Sequence, residues 1–136
     1  MVNTKIVSRY DKDFPGEGAS RKITTGKLYG DVLACVNPLR AMGWTQDCKD
    51  DLLYLSFDND DLSELIKEAV TSGRYKGSEW CQQKINGPWA ACDVYTLNRR
   101  EWSDTAHSYL QCCYYVKFCI SKTGTILLVA SCHLST

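Results

Sequence analysis

Tyr115, Lys117, Ser131 and His133 are the residues of this chain best suited to chemistry, because a phenol, an ammonium, a hydroxyl and an imidazole fall on two apolar runs that can pair. Histidine's ordinary pKa lies near neutrality, so it can take or give a proton. The two runs, 111–120 and 125–134, are rich in β-branched and aromatic residues and are joined by Ser121-Lys122-Thr123-Gly124, the pattern of a β-hairpin. A three-residue loop over 122–124 puts Gly124 where a left-handed backbone is needed and a missing Cβ removes the steric cost. The resulting register pairs Ser121 with Thr125, Lys117 with Val129, Tyr115 with Ser131 and Cys113 with His133. Side chains alternate between faces. Cys112, Tyr114, Val116, Phe118 and Ile120 then face the core with Leu128, Ala130 and Cys132, while Tyr115, Lys117, Ser131 and His133 share the other side. A slip of one residue would separate them.

A second group lies between residues 74 and 89. Arg74, Lys76 and Lys84 are interleaved there with Tyr75, Trp80 and Trp89. Cations for phosphates and rings for bases suit single-stranded nucleic acid, with Arg74, Lys76, Lys84 and Trp80 as the RNA-binding candidates. The alternative is a surface loop whose tryptophans anchor it to the core. Metal chemistry has less to build on. Cys112, Cys113, Cys119, Cys132 and His133 crowd the hairpin, but no Cys-x-x-Cys occurs, and adjacent Cys112 and Cys113 point to opposite faces of a strand. No metal or other cofactor is expected.

The elements that must position these groups fit one domain over residues 1–136. The chain is 44% hydrophobic and 24% charged, which allows a real core. Sixteen cations balance sixteen anions, so no global basic field drives unspecific nucleic-acid binding. Residues 31–70 nonetheless hold nine anions against three cations, between two mildly basic ends. No apolar run approaches the roughly 20 residues of a membrane span and the N-terminus does not resemble a signal peptide, so a cytoplasmic location is expected. The eight cysteines then read as reduced thiols, several packed as small hydrophobes.

Residues 1–22 read as an arm or loop and 23–136 as the globular core. A helix is expected from Thr24 or Thr25 through Val36, with Leu28, Val32, Leu33 and Cys35 on its apolar stripe and Pro38 breaking it. Leu52 to Phe57 reads as a strand, and Asp58 or Asn59 caps a second helix with Leu62, Leu65, Ile66, Ala69 and Val70 buried, ending at Gly73. Residues 74–88 read as an irregular connection, Trp89 to Leu97 as a strand, and 98–105 as a polar loop. The fold class is α+β: N-terminal helices packed on an antiparallel sheet ending in a C-terminal β-hairpin.

The order of these pieces resembles the MqsR family of toxin ribonucleases, within the RelE-like superfamily. The resemblance spans about residues 27–135 and rests on Ala41-Met42-Gly43-Trp44, Leu53-Tyr54-Leu55-Ser56 with Asp61-Leu62, Asp93-Val94-Tyr95, Tyr115-Val116-Lys117 and Ser131-Cys132-His133. It implies metal-independent mRNA cleavage, in which the ribose 2′-hydroxyl attacks the adjacent phosphate, with a base, an acid and a cation supplied by the protein. The family's tyrosine falls on Tyr115, the lysine beside it on Lys117 and its terminal lysine on His133. Its helix lysine falls on Glu64, with Lys67 one turn further along, so Lys67, Lys76 or Lys84 would have to substitute. A cognate antitoxin is the implied partner, together with the RNA substrate. Two other readings stand beside this one. A cytosolic immunity or antitoxin protein could set the acidic segment 58–68 against a basic toxin nuclease, and a plain structural domain would simply pack the hairpin histidine.

Overall fold

One sheet carries the fold. The computed structural model describes residues 5–35 and 40–135. Its elements are β1 (Lys22–Ile23), α1 (Val32–Cys35), β2 (Ala41–Gly43), α2 (Gln46–Leu55), α3 (Asn59–Ser72), β3 (Arg74–Gln82), β4 (Trp89–Ser103), β5 (Ser108–Ile120) and β6 (Leu127–Leu134). The six strands lie in the order β1-β3-β4-β5-β6-β2. All neighbours are antiparallel except β2 and β6, so this α+β fold has a mostly antiparallel sheet with one parallel edge.

Asp93, Tyr95 and Leu97 of β4 pair with Phe118, Val116 and Tyr114 of β5 and share one face with Val129 and Cys132 of β6. These residues form a single buried cluster with Cys48 and Leu52 of α2 and Leu62, Leu65, Ile66 and Ala69 of α3, apart from Asp93, which is buried as a carboxylate. The α3 cap is as expected: Asp58 accepts from the Asp61 amide, Asp61 returns the bond to the Asp58 amide, and Gly73 closes the far end. α2 replaces the expected strand at 52–57. Thr45 caps it by accepting from the Cys48 amide, and Cys48 and Leu52, four residues apart, turn inward. Leu53 and Tyr54 point out, 79% and 84% exposed, while Leu55 packs partly buried against the core, so the run is apolar without being a buried strand.

The expected helix from Thr24 is mostly absent. Residues 24–31 form a strap whose Leu28 and Tyr29 amides both donate to the Asp93 carboxylate at 3.0 Å. Ser78 Oγ donates to the same carboxylate at 2.6 Å, and Asp93 is fully buried. A carboxylate accepting charge-assisted bonds there displaces the strap's own helical bonding. Only α1 remains of that helix; Val36 and Pro38 lie outside the described residues.

Residues 5–23 do not stand away from the body. Phe14 packs on Trp80 and Trp89 with ring centroids 5.0 and 5.2 Å away, and the buried Ser8 hydroxyl accepts from the Ala91 amide. The stretch expected to be irregular at 74–88 is instead largely β3, interrupted by a bulge between Tyr75 and Gly77. β4 likewise runs on through the expected polar loop to Ser103.

Candidate functional site

β5 and β6 pair antiparallel, but not in the expected register. Gly124 takes the left-handed backbone, with φ +76°. The loop is nevertheless closed by the Ser121 amide donating to Ile126 O, so it holds one residue more than expected. That slip pairs Phe118 with Val129, Cys119 with Leu128 and Ile120 with Leu127, and sends Leu127 and Val129 to the core with Phe118 and Ile120; Leu128 is only partly buried, while Ala130 stays buried. A bulge at Ala130 then adds a second residue. Two slips restore the parity that one would have destroyed. Tyr115 now faces His133 and Lys117 faces Ser131, and all four share a face as expected, through different partners.

Pairing across the sheet extends the group into two rows. Arg74, Thr96, Tyr115 and His133 form one; Gly77, Val94, Lys117 and Ser131 form the next. The Tyr115 and His133 rings are stacked, with centroids 5.0 Å apart and planes 14° from parallel. His133 Nδ1 lies 3.1 Å from Leu134 O. A carbonyl can only accept, so Nδ1 carries the hydrogen in that bond, and in the neutral ring the lone pair is on Nε2. Lys117 Nζ sits 5.8 Å from the Tyr115 centroid and 3.2 Å from Glu79 Oε1.

This ion pair divides two clefts. A cleft of about 430 Å³ is lined by Arg21, Lys22, Lys76, Gly77, Ser78, Glu79, Val94 and Tyr115. A second, of about 250 Å³, includes Lys117, Ser131, Arg21, Glu79, Asp47 and Gln83. Gly77, at φ +143° and with open space where a Cβ would be, leaves the floor of the first cleft bare. The bulge beside it inserts Lys76 as the extra residue and turns it into that cleft. Glu79 and Asp47 are the carboxylates lining these clefts, against Arg21, Lys22, Lys76 and Lys117, so the face favours an anion.

Burial raises the Tyr115 phenol above its ordinary pKa, against the pull of Lys117, so it stays protonated and able to donate. For Lys117, burial works to lower the pKa, but Cys81, Tyr115 and Glu79 together more than reverse it. The ammonium is therefore retained. At the end of this face Cys81, Cys92 and Cys119 are buried. Hydrogen bonding with Cys92 and then burial raise the Cys81 thiol, and bonding with Cys119 heads the causes that raise Cys92, so both are neutral and poor nucleophiles. Comparison with family models, curated proteins and solved structures finds no match to this chain.

Other candidates lie elsewhere. Lys67 is on α3, 3.6 Å from Glu64, and lines a surface cleft with Glu68 and Arg99. Arg99 shares the face of Tyr95 and Leu97, so Lys67 is on the far side of the sheet from His133 and does not replace the missing lysine. Trp80 is 2% exposed and packed on Phe14, which removes it as a base platform and bears out the anchoring alternative for that side chain. Lys84 is exposed in the β3–β4 turn. Arg74 and Lys76 do join the face. Arg21, Lys22 and Glu79 are added to it through the β1–β3 pairing, in which Lys22 lies opposite Glu79. No local pattern marked Arg21, Lys22 or Glu79: the bulge at Lys76 breaks the alternation that would have set Glu79 on the face opposite Arg74. Among the described residues, no group of three or more His, Cys, Asp or Glu side chains is placed to hold a metal ion, and no helix is long and apolar enough to cross a membrane.

Proposed function

We propose that this face binds RNA and cleaves it without a metal, as a cytoplasmic endoribonuclease toxin of a toxin–antitoxin or bacterial competition system. The observation that carries the reading is the stacked Tyr115–His133 pair beside Lys117 on a basic, open face. His133 Nε2 takes the proton of a ribose 2′-hydroxyl, and that oxygen attacks the neighbouring phosphorus. The Lys117 ammonium balances the charge that grows on the phosphoryl oxygens. The 5′-oxygen leaves with a proton from the Tyr115 hydroxyl, giving a 2′,3′-cyclic phosphate and a free 5′-hydroxyl. Arg74, Lys76, Arg21 and Lys22 hold the strand. Helices and strap back the sheet on one side, which leaves the paired β5 and β6 to present these groups on the other.

A second reading has its own support. Leu53 and Tyr54 are exposed on α2 beside Asp50 and Asp51, a surface suited to a basic protein, as in an immunity or antitoxin protein that blocks a toxin nuclease. Induced expression in a bacterium separates the two. The nuclease reading expects growth arrest relieved by His133→Ala, and purified protein that leaves cyclic phosphate ends on RNA. Harmless expression, no cleavage and recovery of a basic nuclease bound to the chain would establish the immunity role instead.

A further inference from the structure

Beyond Asn98 and Cys113 the sheet narrows to β4 and β5 alone, since β3 joins β4 no further than Thr96 and β6 ends opposite Tyr114. The two strands project as an arm that closes between Ser103 and Ser108. Its register places Arg100 opposite Gln111 and Trp102 opposite Tyr109, both pairs in phase with Thr96 and Tyr115. The rings of Trp102 and Tyr109 therefore lie on the same side as His133. They are exposed at 52% and 56%, with centroids 5.3 Å apart. The Arg100 guanidinium sits 4.6 Å from the Tyr109 centroid.

A cross-strand ring pair stiffens a two-stranded ribbon on whichever side it lies. Here it lies on the side of Lys117, Arg74 and Lys76, with Arg100 between it and them, while Glu101 faces the other way. In the closing turn the Trp102 indole N–H donates to Asp104 Oδ1 at 2.8 Å, which holds that ring in place. Two open rings and a guanidinium that continue a basic track are the parts of a single-strand platform, where bases stack and phosphates meet cations. We infer that the Arg100–Trp102–Tyr109 side of the arm is a stacking site for single-stranded RNA, holding nucleotides that extend beyond the bond cut at Tyr115 and His133. This rests on the ribonuclease reading for the cut itself. From the Tyr115 row to the Trp102 row is six residues along β4, about 20 Å at a strand's rise. A stacked strand advances about 3.4 Å per nucleotide, so about six nucleotides reach the rings.

The test compares a dinucleotide, which cannot reach the arm, with a 12-nucleotide single strand and the matching duplex, using the full chain. Trp44, Trp80 and Trp89 are buried, so quenching of tryptophan fluorescence by RNA reads Trp102. Each stacked ring contributes on the order of tenfold. The wild type should bind the 12-mer on the order of 100-fold more tightly than the dinucleotide, with quenching, and prefer it to the duplex. Trp102→Ala with Tyr109→Ala should bring that ratio below about fivefold, whereas Leu110→Ala, on the arm's opposite side, should leave it as it is. Dinucleotide cleavage with a ratio untouched by the double substitution would overturn the arm site and leave the nuclease standing. Absence of cleavage with the ratio lost in the double variant would do the reverse. A double variant that binds RNA normally but escapes its neutralising partner would assign the arm to a protein. No binding of the 12-mer would sink both.

Discussion

Lys117 and Glu79 give the sharpest test of an anion-binding face, because removing either should act in opposite directions. Lys117 is 17% and Glu79 36% exposed at the side chain, with 3.2 Å between them. A phosphate about 4 Å from Lys117 gains about 4 kcal/mol at an effective dielectric of about 20, and a carboxylate about 6 Å off costs it about 3 kcal/mol. Solvent and salt in the open clefts on either side of the pair reduce both, leaving about 1–2 kcal/mol for each substitution. Lys117→Gln should therefore weaken single-stranded RNA binding about 5- to 30-fold, and Glu79→Gln should tighten it by a similar factor. Fluorescence anisotropy against salt concentration checks this. The slope of log affinity on log salt should fall by about 0.7 in Lys117→Gln, the loss of about one phosphate contact. If the pair served only to hold β3 to β5, both variants would lose stability and neither would change affinity selectively. Equal weakening by both substitutions would refute the argument.

Two further predictions concern the scaffold. Asp93→Ala strands the Leu28 and Tyr29 amides and the Ser78 hydroxyl, each now bonded to a buried charge. It should cost about 3–5 kcal/mol in urea unfolding, against about 1–2 kcal/mol for Asp93→Asn, which keeps one acceptor; a loss under about 1 kcal/mol for alanine would contradict the anchoring role. Cys48 and Cys132 are fully buried, and burial, followed by Asp51 for Cys48 and by Cys48 and Asp51 for Cys132, pushes each thiol from 9.0 up to about 12. The unfolded chain then loses these protons first, so stability should hold below pH 9 and fall between 9 and about 12 as pH rises, by up to about 1.4 kcal/mol per pH unit for each thiol. Cys132→Ala should flatten that slope in thermal melts across the alkaline range, and an unchanged slope would count against it.

Features set by near neighbours along the chain were legible before any tertiary contact was known. Asp58 and Asp61 at capping spacing, with Leu62, Leu65, Ile66 and Ala69 behind them, make α3 readable, because cap and stripe are local. The alternation of 111–120 likewise put Tyr115 and Lys117 on one side. Tertiary partners settled the rest. Whether Leu52 to Phe57 became a strand or a helix depended on what Cys48 and Leu52 could be buried against, and the fate of residues 24–31 depended on a carboxylate 65 positions away. The partners of Tyr115 and Lys117 depended on two single-residue slips, one in the turn and one at Ala130, each unreadable from alternation because a period of two repeats after both. Lys67 looked usable because sequence spacing does not record the side of the sheet on which a helix packs. The candidate site was thus legible as a set of residue types on a strand. Arg74 and Lys76 were legible as cations among rings, but their place beside Tyr115, and the companions Lys22 and Glu79, became visible only when strands distant in sequence lay side by side, since what joins them is hydrogen bonding across the sheet.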